Sequence, residues 1–231
     1  MHWDDEGFLI SKSRYNENSI IADVFTLNHG KTSGIIYGGT SRKIKNYLQL
    51  GNKIYVDFKS KNENKLGYFK IEIIEAISPF FYGDKKRLNC LVASLNLLKI
   101  VLPDLQKNRN IFMIFLHFVN KLKHNDNWIV DYIFWEINLL KELGFDMNLK
   151  MRTLRKLNAN NDVVSINIDD QQVNIPYFLI DMMPDKIHSG SINLALKFIR
   201  KYLEKKILIP NNLTYPTSGT ILENSFYNGR T

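Results

Sequence analysis

Cysteine is almost absent from this chain: its 231 residues hold one, Cys90. A single cysteine excludes an intrachain disulfide and any all-cysteine zinc site. Cys90 lies in LNCLVASLNLL, an apolar helical run with no base beside it, so it reads as a small buried hydrophobe and not as a nucleophile. Long apolar stretches are missing too. The longest, from Ile111 to Val119, contains His117 and is too short to span a bilayer. The opening MHWDDEG is acidic and has no apolar signal core. The expectation is a cytoplasmic protein with no membrane partner.

Catalytic patterns are also lacking. His2, His29, His117, His124 and His188 are scattered, and none stands at a metal-ligand spacing such as H-E-x-x-H. His29 reads as a hydrogen-bonding turn residue and His117 as a core histidine. There is no G-x-S-x-G elbow. Asp4, Asp5 and Glu6 are consecutive and would alternate faces on a strand, a poor geometry for shared metal binding, so they read as an exposed acidic turn. These absences point away from an enzyme and from a bound cofactor; a metal-dependent nuclease built on the three acids is the remaining catalytic reading.

Negative charge is in short supply, with 23 acidic against 31 basic residues and a formal net charge of +8. Such a surplus suits a polyanionic partner. It is concentrated. Residues 31–70 carry Lys31, Arg42, Lys43, Lys45, Lys53, Lys59, Lys61, Lys65 and Lys70, opposed only by Asp57 and Glu63. Tyr37, Tyr55 and Tyr68 are interleaved, and exposed tyrosines can stack on unpaired bases.

Within HGKTSGIIYGGTSRKIKNYLQLGN, residues 29–52, glycines beside lysines raise the question of a phosphate loop. The spacing rejects it, because G-x-x-x-x-G-K-[ST] needs a lysine directly after the second glycine and Thr40 follows Gly39. The segment reads instead as strand, Gly38-Gly39 turn, helix and stop. Ser41 is a good N-cap, Gly51 a good helix end, and Ile44, Tyr47 and Leu48 share a helical side.

Around it lie strand patterns. KIYVDFK alternates Ile54, Val56 and Phe58 with Tyr55 and Asp57, and LGYFKIEII alternates Phe69, Ile71 and Ile73 with Lys70 and Glu72. GFLISKSR, SIIADVFTL and KTSGIIYG are three further candidates. Five strands with one helix after the third is the order of an OB-fold, with Ile44, Tyr47 and Leu48 closing the barrel. Past Pro79 the periodicity becomes helical, in KKRLNCLVASLNLLKIVL, NIFMIFLHFVNKLKH and NWIVDYIFWEINLLKELG. Trp128, Tyr132, Trp135, Leu139 and Leu143 stripe the third, which marks a buried central helix. VVSINI and QQVNI can pair as a hairpin around Asp169 and Asp170. A last helix runs through SINLALKFIRKYLEKKIL, and Pro210 and Pro216 begin a loose tail.

The fold class is therefore α+β: an OB-fold barrel over 1–78, then a mainly helical domain over 79–231 with an insertion at 145–187. The expected DNA-binding residues are Arg14, Lys31, Arg42, Lys43, Lys45, Lys59, Lys65 and Lys70, with the helix N-terminus adding positive potential. Lys197, Arg200, Lys201 and Lys205 on the last helix are candidates for docking an acidic partner, given an apolar groove beside them. The competing reading is an OB-fold interaction adaptor that binds no nucleic acid.

The quoted segments also carry a resemblance. W-x-D-E-G-F-L-I-S at 3–11, V-F-T-L-N-H-G at 24–30, G-I-I-Y-G-G-T-S-R-K at 34–43 and L-Q-L-G-N at 48–52 resemble the RecO family of bacterial recombination mediators, and its alphaproteobacterial branch in particular. F-W-E-I-N-L-L-K-E-L-G-F-D at 134–146 and I-L-I-P at 207–210 extend the likeness over nearly the whole chain. The resemblance implies binding of single- and double-stranded DNA, strand annealing, and help in loading RecA recombinase onto DNA coated by single-strand binding protein. It implies RecR and the acidic C-terminal tail of single-strand binding protein as partners, and a nucleoid-associated location. Many members carry a cysteine zinc site after the E-L-G-F segment. Here MNLKMRTLRKLNANNDVVS has no cysteine, so zinc is expected to be absent, with Leu154, Leu157, Val164 and Ile166 holding the insertion. Lys150, Arg152, Arg155 and Lys156 are its remaining cations.

Overall fold

Five strands alternate apolar and polar residues strictly enough to build a closed barrel in the computed structural model, which describes residues 1–61, 66–156, 163–169, 171–181, 187 and 189–227. They are β1 (His2–Arg14), β2 (Ser19–Thr26), β3 (Gly30–Tyr37), β4 (Lys53–Lys59) and β5 (Gly67–Glu75). The order around the barrel is β1-β2-β3-β5-β4. Antiparallel β1–β4 pairing closes one side, and a short parallel seam, Gly34 to Gly67 and Ile35 to Tyr68, joins β3 to β5. The inward residues Leu9, Ile20, Ala22, Val24, Ile36, Ile54, Val56, Phe58, Phe69 and Ile71 form one core.

Helix α1 (Arg42–Tyr47) covers a barrel end. Ser41 caps it as expected, its hydroxyl accepting from the Ile44 amide. The helix is shorter than the sequence suggests, because the chain leaves helical geometry at Leu48 to drive that side chain into the barrel. Leu48 is the buried plug, and Ile44 and Tyr47 pack against the core only in part. Gly51, with φ +85°, turns the chain toward β4 and not at the helix end itself. Buried Asn52 fastens this region: its amide donates to the Tyr47 carbonyl, and its oxygen accepts from the Ile77 and Ser78 amides.

The three N-terminal acids are not an exposed turn. They lie within β1, and Asp5 is buried. Its carboxylate accepts from the Asn28 amide at 2.7 Å, the Asn28 side chain at 3.1 Å and the Glu6 amide at 2.9 Å, and bonds His29 Nδ1 at 3.1 Å. The Trp3 ring stacks on His29 at 4.0 Å and on Phe58 at 4.7 Å. The acidic motif is thus a lock for the β2–β3 turn, and His29 is the turn hydrogen-bonder its position implies. Replacing Asp5 with alanine takes the shared acceptor from the part-buried Asn28 and Glu6 amides, which costs about 1–3 kcal/mol. A clear drop in the thermal unfolding midpoint is expected, and an unchanged midpoint would refute the lock.

After a 3-10 turn (Ser78–Phe81), Asp84 caps α2 (Lys85–Val101), accepting from the Lys86 and Arg87 amides. Cys90 is fully buried there, as read. Helix α2 packs on β1, and Phe112 from the start of α3 (Arg109–His124) meets Phe8 at 5.3 Å and Phe25 at 5.5 Å. These contacts place residues 1–113 in one compact unit and 114–231 in another.

In the second unit α4 (Trp128–Glu142) buries the expected aromatic stripe, with Trp135 stacked on Phe118 at 5.1 Å. His117 is exposed, on the outer side of α3, and not a core residue: Phe115, Phe118 and Val119 take the buried positions. A small antiparallel sheet follows, β6 (Thr153–Lys156), β7 (Val163–Ile168) and β8 (Gln171–Pro176), then α5 (Phe178–Asp181). Val164, Ile166, Ile168 and Ile175 are buried hydrophobic residues of β7 and β8. Leu157 and Asp170 lie outside the described residues. Helix α6 (Ser189–Leu203) runs into a π-helical turn (Glu204–Leu208) instead of continuing as one helix. The expected loose tail is partly helical, as α7 (Thr217–Asn224). Pro216, which cannot sit inside a helix, serves at its start, and Leu222 and Glu223 are buried.

Candidate nucleic-acid interface

The candidate cations separate into distinct surfaces once the strands are folded. Arg42, Lys43 and Lys45 are exposed on α1. The turn that leads to them depends on two glycines. Gly38 has φ +68°, and a Cβ on Gly39 would come within 2.7 Å of Ile20, so the turn can lie flat against β2. Arg14 ends β1 beside this turn. A cleft of about 290 Å³ opens here, lined by Lys12, Ser13, Arg14, Ile20, Gly39, Thr40, Lys45 and Leu48, with no acidic side chain among them. The helix is only six residues long, so its dipole adds little and the side chains supply the charge.

Lys12 escaped the sequence reading. Its ammonium donates to the Leu48 carbonyl. Partial burial, and then the charge of Lys45, pull its pKa below the ordinary lysine value. The signal that would have found it is a β-bulge at Ile10, which regular alternation hides.

Lys31 belongs elsewhere. It stands at the opposite end of β3 from α1, roughly 20 Å away along seven residues of strand. Its ammonium is held by the Lys99 carbonyl at 2.8 Å and Asp104 at 3.2 Å. Lys59 and Lys70 share the outer face of β1, β4 and β5 with carboxylates. Asp57 is directly opposite both Asp4 and Lys70, and Tyr55 is opposite both Glu6 and Glu72. Asp57 also pairs with His2 at 2.7 Å and Lys59 at 3.7 Å, and Lys53 with Glu6 at 3.0 Å. Tyr55 bonds Asp4, which raises its pKa, so it sits in acidic surroundings. This face has mixed charge and is a poor phosphate track. Lys65 lies outside the described residues.

Tyr37 and Tyr68 do come together. The β3–β5 seam sets their rings 6.2 Å apart, and both are exposed, Tyr37 by 66%. The pair is an aromatic platform at the end of β3 from which the Gly38-Gly39 turn and α1 begin.

The second unit carries a separate groove of about 350 Å³ between α6 and the β7–β8 hairpin. Ile168, Val173, Leu194, Phe198 and Tyr202 give it an apolar lining, and Lys197, Lys201 and Lys205 stand along it. The four expected docking cations are not equivalent. Arg200 is turned to Glu204 at 3.0 Å and Glu223 at 3.4 Å. Lys205 pairs with Asp169 at 3.0 Å, and Lys206 with the same carboxylate at 2.8 Å, which holds the Asp169 pKa down to about 2. Lys197 and Lys201 remain for the groove, Lys197 with its ammonium 4.9 Å from the Tyr227 ring.

Comparison with known families assigns this architecture. Residues 1–80 match the family described as Recombination protein O N terminal, and residues 83–212 match Recombination protein O C terminal. The chain belongs to the RecO family. Relatives include the DNA repair protein RecO of a Wolbachia strain from Drosophila simulans, 26% identical over 94% of this chain and 96% of that protein. Those of Ehrlichia chaffeensis and Roseobacter denitrificans are 31% and 32% identical, over 71% and 65% of this chain and 67% and 62% of their own lengths. Residues 145–187 contain no cysteine, and among the described residues no group of three or more His, Cys, Asp and Glu could hold a metal. Among the described residues no helix is long and apolar enough to cross a membrane.

Proposed function

We propose that this RecO protein is a DNA repair and recombination mediator that binds single- and double-stranded DNA through the α1 end of its barrel and anneals complementary strands. The observation that carries the reading is the segregation of charge. Arg14 and Lys45 line a cleft in which no described residue supplies a carboxylate, Arg42 and Lys43 are exposed on the same short helix, and the exposed Tyr37–Tyr68 pair stands at the end of β3 that leads into that helix. Cations neutralise phosphates and release counterions, and aromatic faces stack on unpaired bases without choosing among them. Annealing follows, because a basic surface that holds two strands lowers their mutual repulsion and raises their local concentration.

The names of the relatives, each a DNA repair protein, support the same reading. Within it, the groove beside α6 takes the acidic C-terminal tail of single-strand binding protein. Its apolar lining suits an apolar chain end, and Lys197 and Lys201 suit the carboxylates. RecR is a further partner, and RecA is loaded indirectly. The protein acts without zinc, and elemental analysis of the purified chain should find less than one zinc per molecule.

The deciding experiment is strand annealing on DNA coated with the cognate single-strand binding protein, with and without its tail. Faster annealing that requires the tail is expected. Absence of binding to bare oligonucleotides as well would leave an interaction adaptor as the better description.

A further inference from the structure

We propose that the cleft at the barrel mouth is a seat for a single phosphodiester, anchored by Lys12 and flanked by Arg14 and Lys45, which fixes where a bound strand crosses the barrel. The inference rests on the nucleic-acid reading above and narrows it to one ligand group and one lysine.

The bulge in β1 makes the seat. Leu9 pairs with Val24 and Ser11 with Asp23, so Ile10 is the extra residue. Past it Lys12 faces Ala22 and Arg14 faces Ile20. Ala22 and Ile20 belong to the barrel core. Directly opposed residues share a face, so Lys12 and Arg14 extend from the inner side of the sheet at its open end. Unbroken alternation from Leu9 would have placed Ser11 and Ser13 there. Two cations are thereby set on the barrel's inward face, where a β-strand ordinarily places apolar residues.

The surroundings make this placement unfavourable without an anion. Lys12 is exposed at the strand end, yet the partial burial of its ammonium and then the Lys45 charge both disfavour its charged form. Among the described residues the Leu48 carbonyl is its one hydrogen-bond acceptor, and no carboxylate lines the cleft. A phosphate between Lys12, Arg14 and Lys45 removes that repulsion. Gly39, packed against Ile20, and Thr40, whose hydroxyl donates to the Glu17 carbonyl at 3.1 Å, form the rim. At about 290 Å³ the cleft is at the lower edge of sites for drug-sized ligands, which fits a phosphate with its adjoining sugar and not a whole nucleotide triphosphate. The competing role for Lys12 is structural, as a clasp on the end of α1 through Leu48.

The test uses the full chain, its Lys12→Met and Lys12→Arg variants, and two probes. The first is a labelled oligodeoxythymidylate titrated from about 50 to about 200 mM salt. For Lys12→Met the slope of log affinity against log salt is expected to fall by about 0.7, the loss of one phosphate contact on a single strand, with Lys12→Arg keeping the parent slope. A clasp would lower the unfolding midpoint without moving that slope. The second probe is pyrophosphate, expected to shift the Gly39 and Thr40 amide resonances of the unsubstituted protein saturably; this arm decides the matter if Lys12→Met does not fold. An unchanged slope in a folded Lys12→Met protein overturns the seat while leaving the nucleic-acid reading intact. Failure of the parent protein to bind the oligonucleotide, with pyrophosphate still shifting those amides, removes the nucleic-acid reading and keeps a small-phosphate seat. Silence from both probes removes both.

Discussion

Glu136→Gln should abolish most of the loss of stability that the protein suffers between about pH 5 and pH 8. Glu136 lies on the apolar stripe of α4 and is 2% exposed. Burial pushes its pKa up to about 8; the Tyr132 hydroxyl, donating at 2.8 Å, opposes the rise, and the Glu223 charge adds to it. Glu223 is itself tied to Arg200, whose guanidinium stacks 4.9 Å over the Tyr215 ring, and burial raises the Tyr215 pKa in turn. The sign follows from proton counts. Between the unfolded value, about 4.3, and the folded value the native state holds a proton that the unfolded chain has released. Stability is therefore fully present below that unfolded value and is lost as pH rises toward 8, at up to about 1.4 kcal/mol per pH unit, levelling off above. Glutamine keeps an acceptor for Tyr132 and has no proton to lose. Urea unfolding at pH 5.5 and pH 8.5 measures the effect: the parent should weaken by on the order of a few kcal/mol and the variant far less. Equal pH dependence in both proteins would show that Glu136 is not the group responsible.

Much of this fold is legible in the sequence because it follows from period alone. Ile54, Val56 and Phe58 alternate, the α4 stripe repeats at helical spacing, and Ser41 announces the start of α1. What the sequence hides is pairing. Asp5 looks like one of three surface acids until the β2–β3 turn brings Asn28 and His29 against it. The surplus of lysine over 31–70 looks like a continuous basic surface until β1 and β5 lay Asp4 and Glu72 beside Tyr55 and Asp57. Tyr37 and Tyr68 are far apart in the chain and meet only through the parallel seam. A bulge inserts one residue and reverses every side chain beyond it, so Lys12 could not be placed by counting from Leu9. Helix α7 was missed because eight residues after a proline give too short a pattern to stand out from a tail. The candidate site was thus half readable: the α1 cations follow from a local turn and cap, whereas the cleft beside them is a product of register.

Reversing Arg42, Lys43 and Lys45 together to glutamate should produce the largest loss of DNA affinity available from surface substitutions. All three are exposed, outside the barrel core, and none is an acceptor or donor for another strand, so the unfolding midpoint should change little. Each cation that meets a phosphate on a single strand contributes about 0.7 to the salt slope, which amounts to about two decades of affinity for three contacts near 0.1 M salt. Reversal adds repulsion to that loss. Fluorescence anisotropy with a single-stranded oligonucleotide should therefore show a weakening of about a hundredfold or more and a slope shallower by about two. Lys59→Glu with Lys70→Glu is the matched control. Those lysines already face Asp57 across the mixed-charge strands, so a far smaller effect is expected there. If the control weakened binding as much as the triple reversal, the strand would follow the β4–β5 face and not the α1 end. If the triple reversal left affinity and slope as they were, the three cations would be solvating charge and the barrel mouth would lose its claim to DNA.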